Sequence, residues 1–97
     1  MTDFNYKNID ELIHSRIRLA IVSVLIANES ADFNFLKKSV NATDGNLSVH
    51  LRKLEDAGYI KVKKTFMKRK PVSIYQLSAK GKKAFEQYIN QLEKLIK

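Results

Sequence analysis

A chain of 97 residues with 44% hydrophobic and 29% charged side chains fits one soluble globular domain, spanning 1–97, near the small end of what folds alone. The absence of cysteine excludes disulfides, thiolate metal sites and cysteine nucleophiles and suits a cytoplasmic setting. The start, MTDFNYKNIDE, has no secretory pattern, and the longest apolar run, Leu19 to Ala27, falls well short of the roughly 20 residues of a membrane span.

The net charge of +8 is unevenly placed. From Thr43 to Lys83 there are eleven Lys/Arg against three Asp/Glu, whereas the other residues hold seven of each sign. One contiguous block therefore holds the whole excess, as expected for contact with a phosphate backbone.

In chain order, residues 1–7 read as an arm. A first helix is predicted from Asn8, its N-cap, to Asn28, with Asp10 and Glu11 favourable in its first turn. Its apolar stripe is Ile9, Leu12, Ile13, Ile17, Ala20, Ile21, Val24 and Leu25. A second flank of Leu19, Val22 and Ile26 makes the later half apolar on nearly every side, which calls for cover beyond one face. After a break at Glu29 to Asp32, with Phe33 as a short edge strand, a second helix spans Asn34 to Val40 and buries Phe35, Leu36 and Val40. A tight turn at Asn41 and Ala42 leads to a third helix, about 43–57, capped by Thr43 and stopped by Gly58. Leu47, Leu51 and Leu54 form its narrow apolar back, with Asn46, Ser48, Val49, Arg52 and Lys53 on the front.

Beyond Gly58 the period becomes two. Tyr59 to Thr65 and Val72 to Leu77 read as strands, and Phe66 to Pro71 as a basic loop whose proline does not suit a central ladder. Ser78 caps a last helix, Ala79 to Ile96, with a seam of Phe85, Ile89, Leu92 and Ile96 beside Tyr88 and Leu95. Gly81 weakens its first turn, and Lys80, Lys82 and Lys83 oppose the helix dipole there. The fold class is thus α+β, mainly α: a winged helix-turn-helix with a three-helix core, a two-stranded β-wing and a C-terminal helix whose apolar seam suits packing against another helix.

These features point to double-stranded DNA. Asn46 suits an adenine edge, Val49 a thymine methyl, and Arg52 or Lys53 guanine or phosphate in the major groove. Thr43, Ser48 and His50 suit backbone oxygens. Lys63, Lys64, Lys68, Arg69 and Lys70 of the wing region, 63–72, suit the backbone or the adjacent minor groove. Lysine-bearing edge hairpins also arise simply as protection against aggregation. His14 and His50 lie far apart in sequence, the carboxylate pairs are adjacent residues, and no phosphate loop or nucleophile motif is present. No metal, cofactor or enzymatic activity is expected. Two other readings remain: a protein-binding winged-helix module, and sequence-independent DNA binding.

TDGNLSVHLRKLEDAGYIKVKK, the basic hairpin, YQLSAKGKKAF and the earlier ELIHSRIRLAIVSVL together resemble the small winged-helix transcriptional regulators of bacteria and archaea, near the MarR and ArsR groups. The resemblance implies a homodimer on a pseudo-palindromic operator, in a family rich in ligand-responsive repressors. The first and last helices would supply the interface, with Leu19, Val22, Ile26, Phe85, Ile89, Leu92 and Ile96 as its residues. A small-molecule effector is left open.

Overall fold

The computed structural model describes residue 7 and residues 9–96. Its elements are α1 (Arg16–Ala27), β1 (Ala31–Asp32), α2 (Phe33–Val40), α3 (Asp44–Asp56), β2 (Ile60–Met67), β3 (Lys70–Leu77) and α4 (Ala79–Ile96). The cap expected at Asn8, and the arm apart from Lys7, lie outside the described residues.

The first helix is shorter than the apolar pattern predicts. Asp10 draws the amides of Leu12 (2.9 Å) and Ile13 (3.3 Å) onto its Oδ1, closing a separate turn. The helix begins only at Arg16, where Ser15 is the N-cap. Asp10 and Glu11 therefore precede the helix and do not charge its first turn. The turn still buries Ile13 completely, against Ala84 and Tyr88 of α4.

The main core joins Ile21, Val22 and Leu25 of α1 to Leu36 of α2, Leu47, Leu51 and Leu54 of α3, and Ile60 and Leu77 of the sheet. Deleting any one large side chain here costs about 2–5 kcal/mol, a large share of the ~5–15 kcal/mol that holds a domain folded. The back of α3 is therefore fixed.

The edge strand is Ala31–Asp32, which pairs with Tyr75 and Ile74; Phe33 instead opens α2, capped by Asp32 Oδ1 on the Phe35 amide at 2.7 Å. Starting there, the helix buries Leu36 between the partly buried Phe33 and Val40. Phe35, expected inside, points off that stripe and is half exposed. Asn41, left-handed at φ 54°, ends α2, and Thr43 Oγ1 then accepts the Asn46 amide at 3.2 Å to start α3. At the far end Gly58 takes φ 80°; its amide bonds Glu55 O at 2.9 Å and the Tyr59 amide bonds Leu54 O at 2.9 Å, a Schellman stop.

The antiparallel sheet has three strands in the order β1-β3-β2, one more than the expected wing. The hairpin ladder also runs further than expected, to Met67 opposite Lys70, leaving only Lys68 and Arg69 as the turn. Both are left-handed, at φ 52° and 69°. Pro71 lies within β3, opposite Phe66. Counted from the closing pair, this is a non-hydrogen-bonded position, so the proline nitrogen faces away from β2 and no ladder bond is lost.

Ser78 caps α4: its Oγ accepts the Gly81 amide at 3.0 Å and donates to the carbonyls of Gly58 (2.6 Å) and Tyr59 (3.0 Å). Gly81 is buried, and a Cβ there would lie 2.2 Å from Tyr59 O and 2.8 Å from Leu77 Cδ1. Both approaches are far inside van der Waals contact. Alanine normally stabilises a helix interior over glycine by about 1 kcal/mol. Gly81→Ala is expected to reverse that sign, costing roughly 1–3 kcal/mol in urea unfolding, as overpacking does; a stabilised variant would refute this close approach.

Candidate nucleic-acid interface

With Leu47, Leu51 and Leu54 buried, the opposite face of α3 is turned outward. Asn46, Ser48, Val49, Arg52 and Lys53 are all exposed on it. Ser48, Val49, Arg52 and Lys53 line a shallow depression of about 340 Å³ together with Asp56. An isopropyl group and a hydroxyl beside two long cations can meet both base edges and phosphates. Thr43 is exposed at the N-terminal end; its oxygen accepts the capping bond, and its hydroxyl hydrogen remains a donor.

His50 sits at the flank of this face, partly buried. Its Nδ1 lies 2.8 Å from Nη1 of Arg18 on α1, whose Nε also donates to Leu12 O. A guanidinium only donates, so Nδ1 accepts and the neutral ring carries its hydrogen on Nε2. Burial lowers the His50 pKa from its ordinary value, with the positive charges of Arg18 and Lys53 adding to the effect. The ring is thus held as a neutral Nε2–H donor.

Two further contacts brace α3, and a third ties the N-terminal turn to α4. Tyr59, just past the end of α3, donates to Asp10 Oδ2 at 2.6 Å; burial, then this carboxylate, push the phenol up to about 12. His14 Nδ1 lies 2.8 Å from the Tyr88 hydroxyl, linking the same turn to α4. Lys37 on α2 meets Asp44 in the first turn of α3 at 2.7 Å, an exposed pair worth little energy that offsets the carboxylate at the helix start.

In the wing, successive residues alternate faces. Lys64 shares the inner side with Ile60, Val62 and Phe66, whereas Lys63 lies on the outer side with Met67, Val72 and Lys70. The cations of the wing are therefore divided between its two faces. Lys63, Lys64, Lys68, Arg69 and Lys70 are all exposed.

The residues expected to meet a second chain fall into three groups. Val22 is 0% exposed in the main core, so its place is inside the protomer. Its side of α1 is covered by the chain's own elements. Leu19, Phe85 and Leu92 are partly buried against the second core cluster. Ile26, Ile89 and Ile96 are exposed, at 46%, 37% and 81%.

The sequence matches the winged helix DNA-binding domain family over residues 17–96, every element from α1 to α4. The chain belongs to that family. An uncharacterized protein of Methanocaldococcus jannaschii is 38% identical over 87 residues, 90% of this chain and 95% of its own. The solved structure of a transcriptional regulator homologue from Pyrococcus horikoshii superposes with a TM-score of 0.83 at 26% identity, covering 90% of this chain and 86% of that one. A MarR family regulator from Silicibacter pomeroyi shares the fold at a TM-score of 0.66 and 16% identity, over 84% of this chain and 54% of its own. The expected resemblance to winged-helix transcriptional regulators is borne out. In this winged-helix domain, no described helix is long and apolar enough to cross a membrane, and no described group of three or more His, Asp or Glu is placed to hold a metal ion.

The Arg18–His50, Asp10–Tyr59 and Lys37–Asp44 contacts escaped the sequence because each joins separate elements. The one available signal was ELIHSRIR, charged and polar residues placed against an apolar run.

The His50 environment has a pH consequence. Its folded pKa lies below the unfolded value of 6.5, so its stabilisation is present above about pH 6.5 and is lost as pH falls through the folded value. Between about pH 8 and pH 5, the wild type is expected to lose more unfolding free energy than His50→Gln. Equal losses in urea titrations would show that His50 is unconstrained.

Proposed function

We propose that this winged-helix domain is a sequence-specific transcriptional regulator that binds double-stranded DNA as a homodimer and represses by occluding a promoter. The observation that carries the reading is the exposed front of α3, cationic and mixed in chemistry, on a helix whose back is locked into the core. In this reading α3 enters the major groove. Asn46, Val49 and Lys53 read bases, and Thr43, Ser48, His50 and Arg52 grip the backbone. The wing cations Lys63, Lys64, Lys68, Arg69 and Lys70 hold the flanking backbone or minor groove.

The dimer is supported by α4. Its buried residues are Gly81, Ala84 and Tyr88, all in its first ten positions, whereas Ile89, Leu95 and Ile96 are exposed beyond them. Ile26 adds an exposed apolar group from α1. A two-fold pairing through these residues would present two α3 helices about 34 Å apart, one turn of DNA. A cysteine-free regulator of this kind suits the reducing cytoplasm.

Selection of bound sites from random duplex DNA is expected to return a palindrome. Arg69→Ala with Lys70→Ala should then weaken binding to every sequence and reduce the salt slope by roughly two, whereas Asn46→Ala should relax choice at one base pair by about 1–3 kcal/mol. No salt-dependent retardation of duplex DNA at low ionic strength would defeat the proposal. Ile89→Glu with Ile96→Glu is expected to give monomers in sedimentation; an unchanged dimer would place the interface elsewhere.

A further inference from the structure

The wing ends in an apolar pair that charge contacts alone do not explain. Phe66 is 73% exposed and Met67 57% exposed, in adjacent positions just before the turn. They lie on opposite faces of the ribbon, Phe66 with Lys64 and Met67 with Lys70. Four residue pairs, from Lys64–Ser73 to Met67–Lys70, extend past the short third strand, which reaches only Ile74 and Tyr75. At about 3.3 Å per residue, the ribbon projects roughly 13 Å beyond that support. A projecting hairpin with an exposed ring and thioether is an aggregation hazard unless something covers them.

The turn points to what covers them. Two-residue hairpin turns of this hand favour Asn-Gly, because both positions need positive φ. This chain instead places Lys68 and Arg69 there, at φ 52° and 69°, followed by Lys70. Local backbone strain is accepted in order to set three consecutive cations beside the apolar pair. Cations next to exposed Phe and Met, on a narrow ribbon that continues the chain from α3, match a polyanion with apolar base faces at its centre. Minor-groove proteins combine these same two chemistries, cations for the backbone and an apolar wedge for the base step.

We infer that Phe66 is a minor-groove wedge that partly unstacks a base step flanking the major-groove site and bends the DNA there. Lys68, Arg69 and Lys70 hold the phosphates on either side. The wedge favours a pyrimidine–purine step at the wing position, because TA and CA/TG steps kink readily, and disfavours a stiff A-tract. The inference rests on the DNA-binding reading above and adds to it a residue class, a deformation and a sequence preference at a position α3 does not touch.

The test uses the full chain and a duplex recovered by site selection. Affinity is measured across a salt series, and bending by circular permutation of the site. Phe66→Ala with Met67→Ala is expected to weaken binding about tenfold, as loss of a base–aromatic stack does, with an unchanged salt slope and a reduced bend. Phe66→Tyr, which keeps the ring, should retain the bend, and both variants should melt as the wild type because the positions are exposed. A TA step at the wing position should bind more tightly than an A-tract in the wild type and equally in the Ala variant. Wild-type affinity and bend in the Ala variant would overturn the wedge and leave DNA binding standing. A shift in sedimentation of the Ala variant would instead show that a second copy covers the pair. Failure of the wild type to bind any duplex would overturn both readings.

Discussion

The fold turns on one crowded junction, where Ser78 and Gly81 meet the carbonyls of Gly58 and Tyr59. The Ser78 hydroxyl donates to both carbonyls while accepting the Gly81 amide, and the missing Gly81 side chain lets the first turn of α4 rest directly on the Tyr59 backbone. Three elements end or begin within these few residues. The Schellman stop of α3 is held from outside, the root of the hairpin is fixed by the Ile60–Leu77 pair, and α4 sets off in a defined direction. A side chain at position 81 would separate all three at once.

The N-terminal turn holds the same junction from the other side. Asp10 binds the Tyr59 hydroxyl, and Ile13 fills the space beside Ala84 and Tyr88. A helix continuous from Asn8 would spend the Asp10 carboxylate on its own first amides. The early turn instead leaves one oxygen for Leu12 and Ile13 and the other for Tyr59. That division explains why two good caps, Asp10 and Ser15, occur five positions apart. The first serves the junction and the second serves the helix.

The sequence was most legible where structure is local. The stripe of Leu47, Leu51 and Leu54, the Thr43 cap and the Gly58 stop each act within a few residues, and α3 lies within one residue of its expected ends. The Thr43–Lys83 charge block is likewise visible without any geometry. Where distant residues decide, the reading failed. Gly81 looked like a weak helix former, because the carbonyl it must clear belongs to Tyr59. Pro71 looked like a strand breaker, because its harmlessness depends on ladder phase, which is set by the length of the turn. Val22 looked like an interface residue, because apolarity on every side of a helix does not say which sides the chain itself will cover.

The junction also bears on how two DNA-reading helices would be spaced. If α4 carries the subunit contact, as proposed, each α3 is tied to the dimer axis through the Tyr59–Gly81 contact and the Ile13–Ala84–Tyr88 cluster. Neither path crosses a long loop. The hairpin behaves differently: its root shares the junction, but its last four pairs stand clear of β1 and can follow a deformed duplex. The molecule thus separates two tasks. In the proposed dimer, the spacing of the α3 helices would be set by a close backbone approach at Gly81 that leaves little room for adjustment. Fit to the flanking DNA would be left to a two-stranded ribbon whose strained, cationic turn and exposed Phe66 would gain their partners on binding.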